Sequence, residues 1–382
     1  MEIAILGYGV VGSGAYEILT KNGYNVKKVL DIRPHNELGD ALTANYDDIL
    51  NDKEIKIVAE AIGGLEPAHT FVVKALKAGK HVVSSNKHLI CEYYDELNSL
   101  AKENGVTLRF TSSVGGGIPW LVSLNRTSAC DEITKIMGIM NGTTNFILDA
   151  MITNGRDFDE VLKEAQALGY AEANPSADID GLDVARKTAI SSTIAFKTTV
   201  SEAEVSIHSL RNITKGDIDY INKKFNKTVR YMGFGIKNDD GTASAFVEPV
   251  LLSKGALEAN VNKNFNMISL FGNSVGRLSF YGQGAGKYPT GHALASDVID
   301  IYNGCRESKL YGKSLAIDNS KVERQYYVRT VSSLPNDIVK ACEVKDSTNY
   351  IVTNKITVSA MHSLAKSILE SDPHAFFAGI EE

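Results

Sequence analysis

The stretch that decides the fold is the first twelve residues, MEIAILGYGVVG. The apolar run IAIL within it predicts a short buried strand. Three glycines follow at the spacing GxGxxG, and then a helical apolar pattern begins. A second predicted strand ends at Asp31, nineteen residues after Gly12. A strand, a glycine loop, a helix, a strand and an acid in this order form the dinucleotide-binding fingerprint.

Each glycine of this loop has a physical task. Gly7 permits the tight turn, Gly9 lets the backbone approach a pyrophosphate, and Gly12 allows the helix to pack closely on the strand. Val10 and Val11 open the helix, whose N-terminal N–H groups attract phosphates. A bare glycine loop could be an ordinary turn, but its position between a strand and a helix favours a cofactor site.

Two side chains bear on the choice of cofactor. Asp31 could accept hydrogen bonds from a ribose 2′-OH, which favours NAD. Arg33 could pair with a 2′-phosphate, which favours NADP. The choice between NAD and NADP stays open here, with a slight preference for NAD.

Strands and helices continue to alternate after this unit. Apolar strands are predicted at 57–61, 81–84 and 107–110, with helical segments between them. This alternation predicts a doubly wound parallel sheet of the Rossmann type. Ligands of such sheets bind at the carboxyl ends of the strands.

Small or polar residues follow two of these strands. Ile62 and Gly63 come after one strand, and Ser85 and Lys87 after the next, so all four are candidates for the cofactor site. Lys87 could reach the nicotinamide or the substrate. An equally good alternative is a solvated lysine that opens a helix.

Composition narrows the class of protein. The 382 residues are 43% hydrophobic and 23% charged, which is ordinary for a globular protein with two or three domains. The net charge of −6 gives no footprint for nucleic acid, and no apolar run is long enough to span a membrane. Four scattered cysteines and a first segment without a basic region predict a cytoplasmic protein without disulfides or a signal peptide.

The second half of the chain predicts an α+β region followed by a small module. Antiparallel strands are expected near 133–140, 229–236, 243–252 and 274–281, with helices on one face. The tail predicts βαβαβ, with strands at 325–331, 349–356 and 375–380 and helices at 335–344 and 358–370. The predicted domains are a cofactor domain at 1–130, a catalytic and dimerisation domain at 131–304 and a module at 305–382. A helix at 289–303 should pack back on the cofactor domain.

A charged stretch at 168–194 is the candidate catalytic region. On a continuous helix, Asp183 and Lys187 lie on one line with two isoleucines, and Asp180 lies beside that line. An apolar end that faces a core would turn the charged end inward, where charges need partners or a ligand. The alternative is an ordinary surface ion pair, since Asp and Lys four apart are the commonest helical pair.

Two loops could serve ligands. Gly142 and Thr143 start a predicted helix and offer N–H groups and a hydroxyl to a carboxylate, although a plain helix cap explains them as well. Gly284 lies in a second glycine-rich loop, which could cap the nicotinamide or simply connect two elements.

Seven motifs in order give the chain a resemblance to the homoserine dehydrogenase family. They are GYGVVG, AIGG, SSNKHLI, SVGGGIP, GIMNGTTNFIL, LGYAEANPSADIDGLDVARK and GQGAGKYPT, within residues 1–303. The resemblance implies NAD(P)-dependent interconversion of L-homoserine and L-aspartate 4-semialdehyde. It also implies a Rossmann domain, a dimerisation region, a catalytic region on a mixed sheet, and a homodimer or larger homo-oligomer.

The resemblance also implies individual roles. Lys187 matches the family's catalytic lysine, Asp183 the acid one turn before it, and Lys87 the lysine at the cofactor–substrate junction. The implied substrate-binding residues are Glu172 for the amino group, with Asp178, Tyr170, Thr143 and Gly142.

Two departures from the family pattern limit what is carried over. Where many members have a glutamate ligand for a sodium-like cation, this chain has Thr111, which leaves only the backbone carbonyls of Val114, Gly116 and Ile118. The tail is like an ACT regulatory domain with one strand missing, so effector binding and a purely dimer-forming role stay open. The rival functions are a dehydrogenase of another small hydroxy or amino acid and a non-catalytic cofactor sensor.

Overall fold

The computed structural model describes residues 1–306 and 310–381. Within them, the helices are α1 Val10–Lys21, α2 Asp47–Leu50, α3 Ala68–Lys77, α4 Lys87–Glu103, α5 Trp120–Cys130, α6 Gly142–Asn154, α7 Phe158–Ala167, α8 Ser176–Ile179, α9 Leu182–Phe196, α10 Lys215–Phe225, α11 Lys287–Tyr302 and α12 Val358–Ser371. The strands are β1 Glu2–Leu6, β2 Val26–Leu30, β3 Leu42–Thr43, β4 Ile55–Glu60, β5 His81–Ser84, β6 Leu108–Arg109, β7 Ile133–Ile139, β8 Ser206–Ile207, β9 Lys227–Lys237, β10 Ala243–Ser253, β11 Phe265–Gly272, β12 Gly276–Gln283, β13 Glu323–Thr330, β14 Val339–Lys345, β15 Thr348–Thr353, β16 Ile356–Thr357 and β17 Phe376–Ile380. None of the helices in this part of the chain is long and apolar enough to cross a membrane.

The chain divides into two compact units. The first contains Met1–Ala129, Lys197–Ser201 and Gly282–Ser314. The second contains the remaining three segments, Cys130–Phe196, Glu202–Tyr281 and Leu315–Glu382. The module predicted at 305–382 includes residues 307–309 and 382, which lie outside the described residues.

The first unit is built on a six-stranded parallel sheet with the order β3-β2-β1-β4-β5-β6. This order is the one found in doubly wound dinucleotide-binding sheets, so the predicted fold class is confirmed. Its core joins Ile3 and Ile5 of β1 and Leu19 of α1 to Leu294 and Val298 of α11. The helix that the sequence placed at 289–303 therefore packs on the cofactor unit, as expected.

The second unit is built on an eleven-stranded sheet. Nine strands run in the order β12-β11-β7-β9-β10-β17-β13-β15-β14, while β16 pairs with β13 and β8 with β10. The sheet is mixed rather than purely antiparallel, because β8 and β17 both run parallel to β10. The strand predicted at 274–281 corresponds to β12, but the sequence analysis missed its neighbour β11. In β11 the polar residues Asn266 and Ser269 are buried, so the strand lacks the alternation that marks a half-buried strand.

The predicted helix at 335–344 is wrong. Val339–Lys345 is the strand β14, which pairs antiparallel with β15. Lysine, alanine and glutamate in VKACEVK favour a helix locally, and strand pairing overrides that preference. The tail is therefore not βαβαβ. Its strands belong to the sheet of the second unit, because Val250 and Leu251 of β10 pair with Gly379 and Ile380 of β17, so Leu315–Glu382 is part of that unit and not a separate module.

Candidate functional site

The glycine loop of the first unit brings its backbone unusually close together. Gly7 has a φ of +91°, a conformation that suits glycine. A methyl group on Gly12 would lie 1.9 Å from the carbonyl oxygen of Gly7, so only glycine lets α1 pack there. Space is open around Gly9, whose nearest non-neighbour would be a side-chain nitrogen of Arg33 at 3.9 Å, and Val10 is 66% exposed at the start of α1. The loop thus fits the close approach of a pyrophosphate to a helix N-terminus.

Asp31 lies at the end of β2 and is held by Arg33. Its Oδ1 accepts hydrogen bonds from the backbone N–H of Arg33 at 2.9 Å and from Nε at 3.0 Å, and its Oδ2 accepts one from the guanidinium at 2.8 Å. The Tyr8 N–H also donates to Oδ2, at 2.8 Å. The Arg33 guanidinium lowers the pKa of the Asp31 carboxyl. The Asp31 side chain is nearly buried while that of Arg33 is 60% exposed, so the positive charge is the accessible one.

A buried glutamate shapes the loops after β4 and β5. Glu60 Oε1 accepts the N–H groups of Ile62 at 2.8 Å and Gly63 at 3.3 Å, and Oε2 accepts the Ser84 hydroxyl at 2.5 Å. Ser85 N–H donates to the Glu60 carbonyl at 3.1 Å. Burial raises the pKa of the Glu60 carboxyl. The sequence analysis missed this residue, although an acid at the end of an apolar strand, directly before a glycine pair, is a usable signal.

Asn86 caps the helix on which Lys87 lies. Its Oδ1 accepts the Leu89 N–H at 3.1 Å, and its Nδ2 donates to the Gly64 carbonyl at 2.5 Å. Lys87 is therefore the first residue of a capped helix that is tied to the loop after β4. Asn86 was also missed, and its position one residue before a helical run is the signal of a cap.

A further glycine-rich loop of the first unit, residues 113–119, lies against the loop that contains Gly284. A methyl group on Gly116 would lie 2.5 Å from the carbonyl of Gly284, and the Gly117 N–H donates to the Gln283 carbonyl at 3.1 Å. Gly284 is thereby fixed against the loop at 113–119 instead of forming an independent flexible connection.

The residues around Thr111 do not supply an acidic ligand for a cation. Residues 111–119 contain no carboxylate. Buried Asp297 accepts the Thr111 N–H at 2.8 Å and Arg109 Nε at 2.9 Å, so it is committed to that pair. The described residues contain no cluster of three or more His, Cys, Asp or Glu suited to a metal. Cation binding by the Val114, Gly116 and Ile118 carbonyls alone stays a prediction.

In the second unit, Lys187 and Asp183 face inward as predicted, each with about 7% of its surface exposed. Lys187 Nζ donates to Asp183 Oδ2 at 2.7 Å and to the Met140 carbonyl at 2.6 Å. Within the described residues these are the two partners of an ammonium that has three N–H donors. The surface ion pair is thus excluded, and one donor is left for a further oxygen.

Asn141 connects this pair to Asp178. Its Nδ2 donates to Asp178 Oδ1 at 2.7 Å and to Asp183 Oδ2 at 2.8 Å. Its Oδ1 accepts the Thr144 N–H at 2.8 Å and caps α6. The sequence analysis read Asn141 only as the end of a strand, and the GTT that follows it was the available sign of a cap.

The other predicted substrate residues lie nearby but differ in exposure. Gly142 is the first residue of α6, and Thr143 Oγ1 donates to the Tyr170 carbonyl at 2.6 Å. The Tyr170 ring, 41% exposed, packs edge to face on Phe146 with centroids 5.2 Å apart. Glu172 is exposed, so it is not part of the buried cluster.

The expectation that Asp180 faces inward with Asp183 is wrong. Arg211 donates to both of its carboxylate oxygens, at 3.0 Å and 2.7 Å, and the side chain of Asp180 is about one-third exposed. The physical reason is that α8 ends at Ile179 and α9 begins at Leu182, with Gly181 at a φ of +91° between them. The stretch is not one continuous helix, so its phase restarts.

Two family models match the chain. Residues 119–299 match the model described as homoserine dehydrogenase, and residues 7–111 match the one described as homoserine dehydrogenase, NAD binding domain. The chain is 38% identical over 321 residues to the homoserine dehydrogenase of Bacillus subtilis (strain 168), an alignment that covers 80% of this chain and 74% of that protein. It is 34% identical over 373 residues to that of Lactococcus lactis, covering 92% and 85%.

Solved structures of homoserine dehydrogenases superimpose on this chain. The crystal structure of a homoserine dehydrogenase from Thiobacillus denitrificans superimposes with a TM-score of 0.88 at 29% identity, over 100% of this chain and 98% of the other. A hyperthermophilic archaeal homoserine dehydrogenase mutant in complex with NADPH has a TM-score of 0.67 at 26% identity, over 79% and 97%.

Proposed function

This chain belongs to the homoserine dehydrogenase family, and we propose that Lys187 is the group that exchanges the proton in its reaction. The enzyme is an NAD(P)-dependent oxidoreductase that interconverts L-homoserine and L-aspartate 4-semialdehyde. The observation that carries the role of Lys187 is its burial beside Asp183 with a donor left over.

The chemistry needs a proton donor beside the reacting oxygen. The nicotinamide, when bound, supplies or accepts the hydride. Reduction of an aldehyde builds negative charge on its oxygen, and a positioned ammonium stabilises that charge and protonates it. In the oxidation of homoserine, neutral Lys187 accepts the hydroxyl proton. Asp183 orients the lysine.

The substrate's two charged groups have candidate partners in the second unit. Glu172 and Asp178 offer negative charge to the α-ammonium. The N–H groups of Gly142 and Thr143 at the start of α6 suit the α-carboxylate. Tyr170 adds a partly exposed ring to this side of the site.

Gly7, Gly9 and Gly12, with Val10 and Val11 at the start of α1, would hold the pyrophosphate. Ile62, Gly63, Ser85 and Lys87 would line the nicotinamide side, on loops that Glu60 and Asn86 hold in place. Gly284 would line the same side from the loop that contacts Gly116 and Gly117.

We infer a preference for NADP over NAD. Both carboxylate oxygens of Asp31 are engaged by Arg33, which presents an exposed guanidinium suited to a 2′-phosphate. This replaces the slight preference for NAD that the sequence suggested.

We also propose a cytoplasmic homodimer. The four cysteines, all within the described residues, form no disulfide with one another, which suits a reducing compartment. The strand β14 has an exposed face at one edge of its sheet, and an uncovered edge is a place where chains pair. Light scattering coupled to size exclusion measures the mass directly, and a monomer would contradict the dimer.

An assay of nicotinamide absorbance tests the function. With L-homoserine as substrate, NADP⁺ should be reduced rapidly. The kcat/KM measured with NAD⁺ should be lower than that measured with NADP⁺. Faster turnover of another hydroxy acid would favour a different dehydrogenase. Cofactor binding without turnover of any such substrate would favour a sensor.

A further inference from the structure

We propose that Asn141 is a positioning residue that sets the orientation and the charge state of the Lys187–Asp183 pair. The inference rests on the proposed role of Lys187. Asn141 is 4% exposed and is the residue through which Asp178, Asp183 and the helix α6 are joined.

The helix cap decides which way the amide of Asn141 points. Asn141 has extended backbone angles at the N-cap of α6, and its Oδ1 accepts the N–H of Thr144 at 2.8 Å and the Thr144 hydroxyl at 3.1 Å. A flipped amide would place two N–H groups against the N–H of Thr144 and lose the cap. Oδ1 therefore faces the helix, and Nδ2 must face the opposite side.

The two N–H donors of Nδ2 then go to two different carboxylates. One reaches Asp178 Oδ1 at 2.7 Å and the other reaches Asp183 Oδ2 at 2.8 Å. Asp183 Oδ2 is also the atom that accepts the Lys187 ammonium, at 2.7 Å. Asn141 and Lys187 thus share one oxygen, and the carbonyl of Met140, the residue before Asn141, accepts the same ammonium at 2.6 Å.

This sharing has an electrostatic consequence. Two neighbouring carboxylates repel each other, and hydrogen bonds to their charged forms stabilise both as anions. A neutral donor on Asp183 Oδ2 also takes up part of the negative charge that would otherwise hold the proton on Lys187. Asn141 therefore stabilises the charged forms of both acids and weakens the attraction of Asp183 for the Lys187 ammonium.

Two substitutions separate this role from capping. Asn141→Asp and Asn141→Ser both keep an oxygen that can cap α6, so both should fold. Asn141→Asp removes the donors and adds a negative charge near the Lys187 ammonium, with which Asn141 shares Asp183 Oδ2. A charge within about 4–6 Å shifts a pKa by roughly one unit or more. Asn141→Ser removes the donors without adding charge. Asn336→Asp, at an exposed position, is the matched charge control.

The test measures Lys187 directly. The pH dependence of its acetylation by acetic anhydride, followed by mass spectrometry, reports its pKa whether or not it is catalytic. We expect that pKa to rise by at least about one unit in Asn141→Asp, by less in Asn141→Ser, and not in Asn336→Asp. The acidic limb of kcat/KM for homoserine oxidation should move to higher pH by the same amounts.

The possible failures are distinguishable. An unchanged labelling pKa in Asn141→Asp, with the melting temperature retained, overturns the inference whatever the rate does. A shifted labelling pKa with an unshifted rate profile supports the role of Asn141 and overturns the proposal that Lys187 exchanges the proton.

Discussion

Each unit of the molecule contains a buried carboxylate in its part of the candidate site. The donors on one of these acids are neutral, whereas one donor on the other is a charged ammonium. Glu60 in the first unit receives the N–H groups of Ile62 and Gly63 and the hydroxyl of Ser84. Asp183 in the second unit receives the ammonium of Lys187 and an amide. Burial raises the pKa of Glu60, so this acid tends toward its neutral form.

The difference suggests that burial of an acid does not by itself mark it as a catalytic group. The kind of partner on its carboxylate is the more informative feature. The oxygens of Glu60 accept hydrogen bonds from neutral donors and so hold the backbone of the loop after β4 in place. An uncharged side chain could do the same. The ammonium beside Asp183 makes a charge pair, and a charge pair can move a proton toward a reacting group. The charge of Asp183 should therefore matter to turnover, and the charge of Glu60 should not.

The largest expected effect is that of removing the cation. Lys187→Ala should lower kcat by about 10³-fold, because general acid–base catalysis typically contributes 10²–10⁴-fold. Binding of NADP⁺, measured by fluorescence titration, should change little. Lys215→Ala, an exposed lysine of the second unit, is the matched control and should keep wild-type turnover. Near-normal turnover of homoserine by Lys187→Ala would contradict the proposal that Lys187 exchanges the proton.

The comparison of the two acids is sharpened by one pair of isosteric changes. Asp183→Asn should lower kcat by about 10²-fold, because the lysine loses its charged partner. Glu60→Gln keeps the shape and should leave kcat/KM within about threefold. Equal losses in the two variants would contradict the distinction.

Glu60 should also make stability depend on pH. Because its pKa is raised in the folded state, the unfolded chain loses this proton first as pH rises. Stability is therefore lost from about pH 4.3, the ordinary glutamate pKa, upward through the folded pKa. Urea unfolding should show the stability of Glu60→Gln relative to wild type increasing from pH 4 to neutral. A difference that is independent of pH would mean that folding leaves the pKa of Glu60 unchanged, which contradicts the prediction.

The last expected effect concerns Arg33. It lowers the pKa of Asp31, so the pair contributes stability above the ordinary aspartate pKa and loses it as pH falls below about 4. Since the guanidinium is 60% exposed, Arg33→Ala should cost little stability at neutral pH. Its kcat/KM with NADP⁺ should fall about tenfold, while that with NAD⁺ falls less. An equal fall with both cofactors would contradict a contact with the 2′-phosphate.

The parts of the molecule that the sequence predicted well are those decided by local pattern. The glycine loop, the alternation of strands and helices in the first unit and the inward phase of Lys187 all depend on neighbours within a few residues. The error at Asp180 arose where a single glycine, Gly181, interrupts a helix. No periodicity argument can locate such a break, because the residues on both sides keep helical spacing.

What the sequence did not reveal depends on partners far along the chain. Asn141 became important only when Asp178 and Asp183, about forty residues later, met its amide. Residues 339–345 became a strand because β15 was available to pair with them, against their own helical preference. Both depend on tertiary pairing, which a single sequence does not encode in any short window.

The pairing of β17 with β10 has a consequence for how this protein is made. Residue 250 finds its partner at residue 379, about 130 residues later, and β17 lies between β10 and β13 in the finished sheet. While the ribosome is still adding those residues, Lys187 and its neighbours have already left the ribosome. The β10 edge that β17 will cover is then still unpaired. Distant pairings of this kind form slowly and leave strand edges uncovered. Chains released before residue 376 should therefore accumulate with chaperones or aggregate, even though every residue assigned to the chemistry has been synthesised.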